Sequence, residues 1–336
     1  ALPISLEEVI GRPLAYLSWE TCPDCIRVLD RHFPHVQHRG DVDADNPSEL
    51  AKTIQQIDPS GLAIIFVSGG PPCPDFSGIA ASAQGKEGHE GSKFVRFSKF
   101  LSRLEKLVKP RDTVPLIENV LMQNPGDVRF FTDALQAQPV LLDPADFSII
   151  SRPRLFWTRL RWCDLSSCPM TGKPLQWQKV HKLPKLILDL PRVTTDDIQT
   201  DGLEFHDKVR SGQAKLPCLT TPAPNQAGRP PPKKMKGHIP PSVKLRWQQD
   251  NRQYAPWHYQ DTAMLSDSTG RLHTPPIGVK EQLQGFPAGF TQAPGVHERA
   301  RHRMLANAWH FQVAKLLILL ILSQCGALAA PTPAPR

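Results

Sequence analysis

The sequence predicts an α/β protein built on a largely parallel sheet. Short apolar segments alternate with segments of helical periodicity along the first 120 residues, which is the pattern of parallel strands joined by helices. Acidic residues follow two of the early extended segments, at Glu20 and Asp41, and Cys73 follows the third. Because ligands and reacting groups collect at the carboxyl ends of the strands in such sheets, we expect these three side chains to mark a site.

The composition is that of a folded, basic protein. The chain has 336 residues, enough for one large domain or two modest ones, with 40% hydrophobic and 21% charged residues. Its 35 prolines are roughly twice the usual share, which indicates long ordered loops. The net charge of +8 favours a polyanionic partner, although basic proteins with no nucleic-acid role carry similar charges.

Cysteine usage favours a reducing intracellular compartment over a disulfide scaffold. The seven cysteines are an odd number without regular spacing, and the N-terminus has no signal-peptide pattern. The pairs Cys22/Cys25 and Cys163/Cys168 match no usual zinc spacing, so no metal site is predicted. The apolar run 313–322 contains a lysine and is too short to span a bilayer, so we expect a buried terminal helix and no membrane partner.

The expected elements follow from apolar spacing and capping residues. A helix is predicted over 47–57, with Asn46 or Ser48 near its start, and a buried strand over 62–67. Residues 78–91 are rich in Gly, Ala, Ser and charge and are expected to form a mobile loop. The remaining predictions are strands over 15–20, 114–120, 140–143 and 155–157 and helices over 25–33, 93–108, 126–137 and 296–322.

The chain divides by composition into four parts. Residues 1–162 carry the alternation of strands and helices and form the predicted core. Residues 163–277 are expected to form a second region with linkers, and this region is expected to be irregular because 163–245 are poor in apolar residues and rich in Pro, Lys, Gln and Thr. Residues 278–325 return to the core, and 326–336 form a flexible tail. A basic run in the second region is either a phosphate-contacting patch or a solvated flexible loop, and it contains Arg229, Lys233, Lys234 and Lys236.

The loop after strand 62–67 holds its cysteine in one place. Two glycines end the strand and two prolines stiffen the loop, in the order Gly69-Gly70-Pro71-Pro72-Cys73. Restricting the unfolded chain lowers the entropic cost of presenting the thiol. Cys73 is therefore the candidate nucleophile, and the alternative is a buried structural cysteine.

Five motifs, in order and covering nearly the whole chain, are similar to those of one enzyme family. They are Gly70-Pro71-Pro72-Cys73-Pro74-Asp75-Phe76-Ser77, Ile117-Glu118-Asn119-Val120, Ser151-Arg152-Pro153-Arg154-Leu155-Phe156-Trp157, Leu283-Gln284-Gly285-Phe286-Pro287 and Leu305-Ala306-Asn307-Ala308-Trp309. The chain resembles DNA cytosine-5 methyltransferases, in several places most closely the animal de novo branch. The resemblance implies a Rossmann-like, S-adenosylmethionine-dependent methyltransferase sheet, with a small irregular target-recognition region and linkers in 163–277.

The resemblance implies a catalytic set of Cys73, Glu118, Arg152 and Arg154. Cys73 would attack C6 of cytosine while Glu118 contacts N3, and C5 would take the methyl group of S-adenosylmethionine. Arg154, with Arg152 close by, would orient the base and stabilise developing negative charge. The alternative is a structural salt bridge between Glu118 and the arginines.

The resemblance also assigns the cofactor and the partners. S-adenosylmethionine would be bound by Glu20 at the ribose and Asp41 at the adenine amine, with Pro72 and Asn307 lining the pocket. The substrate would be double-stranded DNA contacted by the basic run. Further partners would be a second copy of the chain or another methyltransferase subunit. The expected location is the nucleus if the source is eukaryotic and intracellular otherwise.

One departure from the family concerns the N-terminal part. The family begins with a strand and a Phe-x-Gly-x-Gly loop around the methionine end of the cofactor, whereas residues 1–14 contain a single glycine, Gly11. We therefore expect the first strand of the sheet to be missing and the chain to be a fragment or a degenerate copy. A second hypothesis follows, namely a catalytically inactive relative that binds DNA or a partner methyltransferase.

Two other functions receive less support. A tRNA-methylating branch shares these motifs, but it carries a Cys-Phe-Thr tripeptide that this sequence lacks. A nicotinamide-dependent oxidoreductase would need a GxGxxG pattern, and the sequence contains none.

Overall fold

The protein is a mixed α/β chain in a computed structural model that describes residues 2–77, 84–232, 235 and 237–326. The predicted fold class is confirmed. The strands are β1 Leu17–Ser18, β2 Gln37–His38, β3 Ile65–Gly69, β4 Thr113–Val120, β5 Pro139–Leu142, β6 Arg154–Thr158, β7 Gln176–Val180, β8 Leu183–Ile187, β9 Glu204–Phe205, β10 Leu265–Ser266 and β11 Leu272–His273. The α-helices are α1 Leu2–Ile10, α2 Pro23–His32, α3 Pro47–Ile57, α4 His89–Leu107, α5 Pro125–Leu135, α6 Asp207–Arg210, α7 Pro241–Gln249, α8 Ile277–Leu283, α9 Glu298–Asn307 and α10 Phe311–Gln324.

The main sheet has six strands in the order β3-β4-β6-β5-β8-β7. β3 and β4 are parallel, with Gly69 opposite Ile117, so both strands end at the same edge. β6 runs antiparallel between β4 and β5. The β7–β8 hairpin, from the region predicted to be irregular, joins the sheet through Leu141 and Lys185. This arrangement places the chain segments that follow β3 and β4 side by side.

A second, two-stranded sheet consists of β1 and β2, which are parallel. Among the described residues, β1 and β3 each pair with one strand only. Leu17 of β1 and Ile65 of β3 nevertheless pack on the same buried side chains, Leu50 of α3 and Leu104 of α4. The two sheets are thus held by helices rather than by a shared strand.

Alternating residues of the main sheet face two different helical layers. Leu116 and Phe156 pack with α10, whereas Ile117 and Trp157 pack with α4 and α5. This alternation follows from the two-residue period of a strand, and it explains why the strands are apolar on both faces. The sheet is therefore the middle layer between α10 on one side and the α4–α5 pair on the other.

The helix predicted over 47–57 has those limits in the structure because its start is encoded locally. Asn46 Oδ1 accepts a hydrogen bond of 2.9 Å from the backbone N–H of Ser48, and Pro47 occupies the first turn. Asn124 caps α5 in the same way, through the N–H of Gly126.

The predictions for 296–322 and 78–91 are wrong, and the buried strand predicted over 62–67 lies instead at Ile65–Gly69 and is half-buried. The single helix expected over 296–322 is broken between α9 and α10, because Phe311 N–H donates to the carbonyl of Gln284 at 2.9 Å and Trp309 enters the apolar core. Within the loop predicted over 78–91, Gly85–Glu87 form a 3-10 turn and α4 begins at His89. The loop residues 78–83 lie outside the described part of the chain.

No single helix among the described residues is long and apolar enough to cross a bilayer. The pair α9 and α10 reaches the required length and composition together but bends by 41° at its junction.

Candidate active site

The Cys73 loop lies directly over the end of β4. A side-chain carbon added at Gly70 would lie 3.1 Å from Glu118 Oε2 and 3.3 Å from Trp309 Nε1, so a larger residue would require these side chains to shift. Asn119 Nδ2 donates a 3.2 Å hydrogen bond to the carbonyl of Pro71. Glu118 and Asn119, near the end of β4, therefore contact the glycine–proline loop that follows β3.

The loop is anchored again just after the cysteine. Phe76 N–H donates to the Cys73 carbonyl at 3.0 Å, and the buried Phe76 ring packs edge-on against Phe131 of α5 at 5.0 Å. The Asp75 carboxylate accepts the N–H of Glu90 at 2.8 Å, at the start of α4, where a negative charge is favourable. Contacts on both sides of Cys73 thus fix its position.

Two arginines around the start of β6 also lie in this site. Arg154 Nε lies 2.8 Å from Glu118 Oε1, in an ion pair whose side chains are 14% and 10% exposed. Arg152 is buried, and its Nη2 donates to the Ala306 carbonyl at 2.9 Å. Its backbone N–H donates to Asp143 Oδ1 at 2.8 Å. The structure therefore gathers all four residues of the expected catalytic set.

The charges around Cys73 oppose one another. Burial raises the pKa of the Cys73 thiol, Arg154 counteracts this, and Glu118 reinforces it, so the pKa lies above its ordinary value. A thiol must lose its proton to become a nucleophile. The resting site therefore favours the unreactive form of Cys73.

The expected cofactor residues lie at the edge of the smaller sheet. Glu20 follows β1 and is half-buried, and its Oε1 accepts the N–H of Cys22 at 2.7 Å. Asp41 follows β2 and is exposed, with Oδ1 on the N–H of Asp43 at 2.9 Å. Since β1 and β2 are parallel neighbours, the two carboxylates end adjacent strands. These two hydrogen-bond acceptors suit the hydroxyl and amine groups of a nucleoside, which donate.

The other two expected cofactor residues lie in the cysteine loop and at the end of α9. Pro72 is half-buried and directly precedes Cys73. Asn307 is exposed at the end of α9, next to the Ala306 carbonyl that binds Arg152. Pro72 is therefore adjacent in the chain to Cys73, and Asn307 is adjacent to a residue that contacts Arg152.

Of the four cations expected to contact DNA, the structure describes one, Arg229. Lys233, Lys234 and Lys236 lie outside the described residues. Arg229 is half-buried, and its Nη2 donates to the carbonyl and the hydroxyl of Thr221. Burial lowers the pKa of Arg229. Its guanidinium is thus engaged inside the fold.

One residue of the site was missed from the sequence. Cys218 Sγ accepts hydrogen bonds from Arg152 Nη1 at 3.1 Å and Arg154 Nη2 at 3.4 Å. Leu219-Thr220-Thr221 follow it in the sequence, and this pattern predicted no chemical role for the cysteine. Only the fold brings it to the arginines, from more than 60 residues away.

Metal-binding geometry is absent from the part of the chain that the structure describes. No group of three or more His, Cys, Asp or Glu side chains there could hold a metal ion. All seven cysteines are free.

Solved structures share this fold at low sequence identity. A triple-substituted variant of DNMT2 from Spodoptera frugiperda is similar to the chain with a TM-score of 0.55 and 15% identity, over 95% of this chain and 96% of that one. The methyltransferase EhMeth of Entamoeba histolytica is similar with a TM-score of 0.51 and 13% identity, over 93% and 90%. No family model matches the sequence. The chain therefore has the Rossmann-like α/β fold of these methyltransferases.

Proposed function

We propose that the protein is a cytosine-5 methyltransferase that acts on DNA through a covalent adduct between Cys73 and C6 of the base. The observation that carries the proposal is the convergence of Cys73, Glu118 and the two arginines at the ends of β3, β4 and β6. The methyltransferase fold of the whole chain supports it. The resemblance of the motifs to the animal de novo branch supports DNA as the substrate.

The chain's own residues account for the chemistry on the base. The Cys73 sulfur forms a bond to C6, and the electron pair released into the ring makes C5 nucleophilic. In the ionised form Glu118 is oriented by Arg154 through the 2.8 Å ion pair, and in the protonated form it would hold its proton against N3. Once C5 carries the methyl group, a water molecule acting as base takes the C5 proton, and the electron pair of that C–H bond forms the C5–C6 double bond and expels the Cys73 thiolate. Cytosine must leave its stack to reach the loop, at a cost of roughly a few kcal/mol.

Glu20 and Asp41 would hold the nucleoside end of S-adenosylmethionine, and Pro72 and Asn307 would line its pocket. When bound, this cofactor supplies the electrophilic methyl group. The Glu20 carboxylate is oriented by the Cys22 N–H, so its other oxygen can accept hydrogen bonds from a ribose.

Nucleic-acid binding and location are part of the same proposal. The net charge of +8 suits a polyanion, and the run that includes Lys233, Lys234 and Lys236 supplies cations for phosphates. Double-stranded DNA is thus the proposed partner, and the nucleus the proposed location in a eukaryote.

Methyl transfer to cytosine in duplex DNA tests the proposal. The chain is incubated with S-adenosylmethionine carrying a labelled methyl group, and with either duplex DNA or an RNA stem–loop of the same sequence. We expect labelled 5-methylcytosine in DNA, none with Cys73→Ser, and full activity with Cys163→Ser, which removes an exposed cysteine. Transfer to RNA alone would overturn the choice of substrate, and transfer by Cys73→Ser would overturn the mechanism.

The adduct can be observed directly. A duplex containing 5-fluorocytosine cannot lose a proton from C5, so the Cys73 bond should persist as a slowly migrating protein–DNA band. The band should need the cofactor and should be absent with Cys73→Ser.

One observation favours a second function, binding without methyl transfer. Among the described residues, no strand pairs with both β1 and β3. Glu20 and Pro72 therefore follow strands of two separate sheets. Calorimetric titration with S-adenosylmethionine discriminates between the two functions. Binding of the cofactor supports the enzyme, whereas binding of DNA without any binding of the cofactor supports the inactive relative.

A further inference from the structure

Cys218 lies between the two arginines of the site. Its sulfur accepts hydrogen bonds from Arg152 Nη1 at 3.1 Å and from Arg154 Nη2 at 3.4 Å. The resemblance assigns no role to this cysteine, and no motif of the sequence predicted one.

The segment that contains Cys218 is held beside the residues that lead into β6, by backbone hydrogen bonds on one side of Cys218 and by packing on both. Leu216 N–H donates to the Ile149 carbonyl at 2.7 Å, and Ser151 N–H donates to the Leu216 carbonyl at 2.9 Å. Leu216 and Leu219 are both buried in one apolar cluster. The sulfur is therefore delivered to the arginines by a rigid segment rather than by a mobile loop.

The arginines need an acceptor at this point. Burial lowers the pKa of Arg152, and the positive charge of Arg154 lowers it further because two guanidinium groups repel each other. Arg154 has the Glu118 carboxylate as its anionic partner. Among the described residues, the guanidinium of Arg152 donates hydrogen bonds to the Ala306 carbonyl and the Cys218 sulfur only. The Arg152 Nε has no hydrogen-bond partner among these residues.

The sulfur is suited to this position electrostatically. Burial raises the pKa of the Cys218 thiol, but the charges and hydrogen bonds of Arg154 and Arg152 together outweigh burial and hold the pKa below its ordinary value. A thiolate accepts stronger hydrogen bonds from a guanidinium group than a thiol does, so the lowered pKa and the hydrogen-bond geometry act in the same direction.

We propose that Cys218 is a positioning residue, whose sulfur holds Arg152 and Arg154 together and thereby keeps Arg154 against Glu118 in the geometry the reaction needs. The proposal rests on the proposed function, since the residues it positions are those assigned to methyl transfer. Cys218 acts through the arginines and forms no bond to the base.

Three variants test the proposal. Cys218→Ala removes the acceptor, and Cys218→Ser keeps an oxygen that can accept the same hydrogen bonds. Cys168→Ala is the matched control, because Cys168 is also buried but packs in an apolar cluster. Thermal melting of each variant shows whether the fold is retained.

The kinetic result expected is a change in turnover rather than in binding. Losing a hydrogen bond to a charged group should lower kcat of Cys218→Ala by about tenfold, with KM for S-adenosylmethionine little changed. Cys218→Ser should recover most of this loss, and Cys168→Ala should turn over at the native rate. Equal losses in Cys218→Ala and Cys218→Ser would overturn the proposal.

A second measurement does not depend on activity. Phenylglyoxal modifies free guanidinium groups, and peptide mass spectrometry reports the modification of Arg152 and Arg154 separately. Both should be modified severalfold faster in Cys218→Ala than in the native chain, Cys218→Ser or Cys168→Ala. Unchanged modification in Cys218→Ala would overturn the positioning role. If the native chain transfers no methyl group, the proposed function fails, but this measurement still tests the contact.

Discussion

Replacing Glu118 and replacing Arg154 should change the reactivity of Cys73 in opposite directions. Glu118 raises the pKa of the Cys73 thiol and Arg154 lowers it. Glu118→Gln should therefore increase the thiolate fraction at pH 7.5, and Arg154→Met should decrease it. Since the thiolate is the species that reacts with iodoacetamide, alkylation of Cys73 should be faster in the first variant and slower in the second.

The size of the effect follows from the geometry of the ion pair. At 2.8 Å the attraction between the two side chains is about 6 kcal/mol for an effective dielectric constant of about 20, before desolvation is subtracted. Removing one partner of such a buried pair costs about 3–5 kcal/mol of folding free energy. A neighbouring charge changes the ionised fraction of a thiol by about tenfold, and we expect that change in the alkylation rate.

Peptide mass spectrometry after a short pulse of iodoacetamide measures the rate for each cysteine. Cys163 is exposed and serves as the internal reference, because its alkylation should be the same in all variants. Urea unfolding should show a larger loss for Arg154→Met than for Glu118→Gln, in which the amide oxygen can still accept from Arg154. A shift of Cys73 reactivity in the same direction in both variants would refute the electrostatic account, as would no shift in either.

Three further predictions concern stability. Asp45→Asn weakens the pair with Arg39, whose Nη2 lies 2.8 Å from the carboxylate, and should lower the unfolding free energy in urea by about 1–3 kcal/mol. Because Arg39 holds the pKa of Asp45 below its ordinary value, this contribution should be present above about pH 4 and disappear as the pH falls further. Glu281→Gln replaces a fully buried carboxylate that binds Arg301 at 3.0 Å, and should cost about 3–5 kcal/mol, visible as a lower melting temperature. Gly91→Ala would push a side-chain carbon into the backbone carbonyl of Gly85, and should lower stability by about 1–3 kcal/mol and speed proteolysis near the start of α4. Native-like stability of any of these three variants would contradict the corresponding prediction.

The sequence predicted those elements whose limits are encoded locally. Asn46 and Pro47 specify the start of α3 within two residues, and the prediction matched the structure. The strand expected over 62–67 lies instead at Ile65–Gly69, because Leu62 is 85% exposed and the pairing with β4 sets the register. The limits of that strand depend on a partner that the local sequence does not specify.

The break between α9 and α10 shows why periodicity alone was insufficient. The apolar pattern continues across 308–310, and no proline or glycine interrupts it. The backbone of Phe311 pairs with Gln284, which is distant in the sequence. Tertiary hydrogen bonding thus overrides a pattern that favours one continuous helix.

The same distinction applies to the candidate site. Cys73 and Glu118 were predictable because Cys73 follows β3 and Glu118 lies near the end of β4, and parallel strands bring their ends together. Cys218 was not, because its role depends on contact with Arg152 and Arg154 across a segment of irregular composition. Only the folded structure shows that the arginines have a sulfur between them.

The charges of the site link the activation of Cys73 to the group that contacts the base. When Glu118 and Cys218 are both ionised, Arg152 and Arg154 each have an anionic partner. An ionised Cys73 would then be a third anion beside two cations, which agrees with its raised pKa. A proton on Glu118 removes one anion and leaves Arg154 free to stabilise the Cys73 thiolate. Glu118→Gln should therefore give a cysteine that alkylates readily and yet transfers methyl groups poorly, because the variant keeps the charge balance of the activated site but has no proton to place on N3.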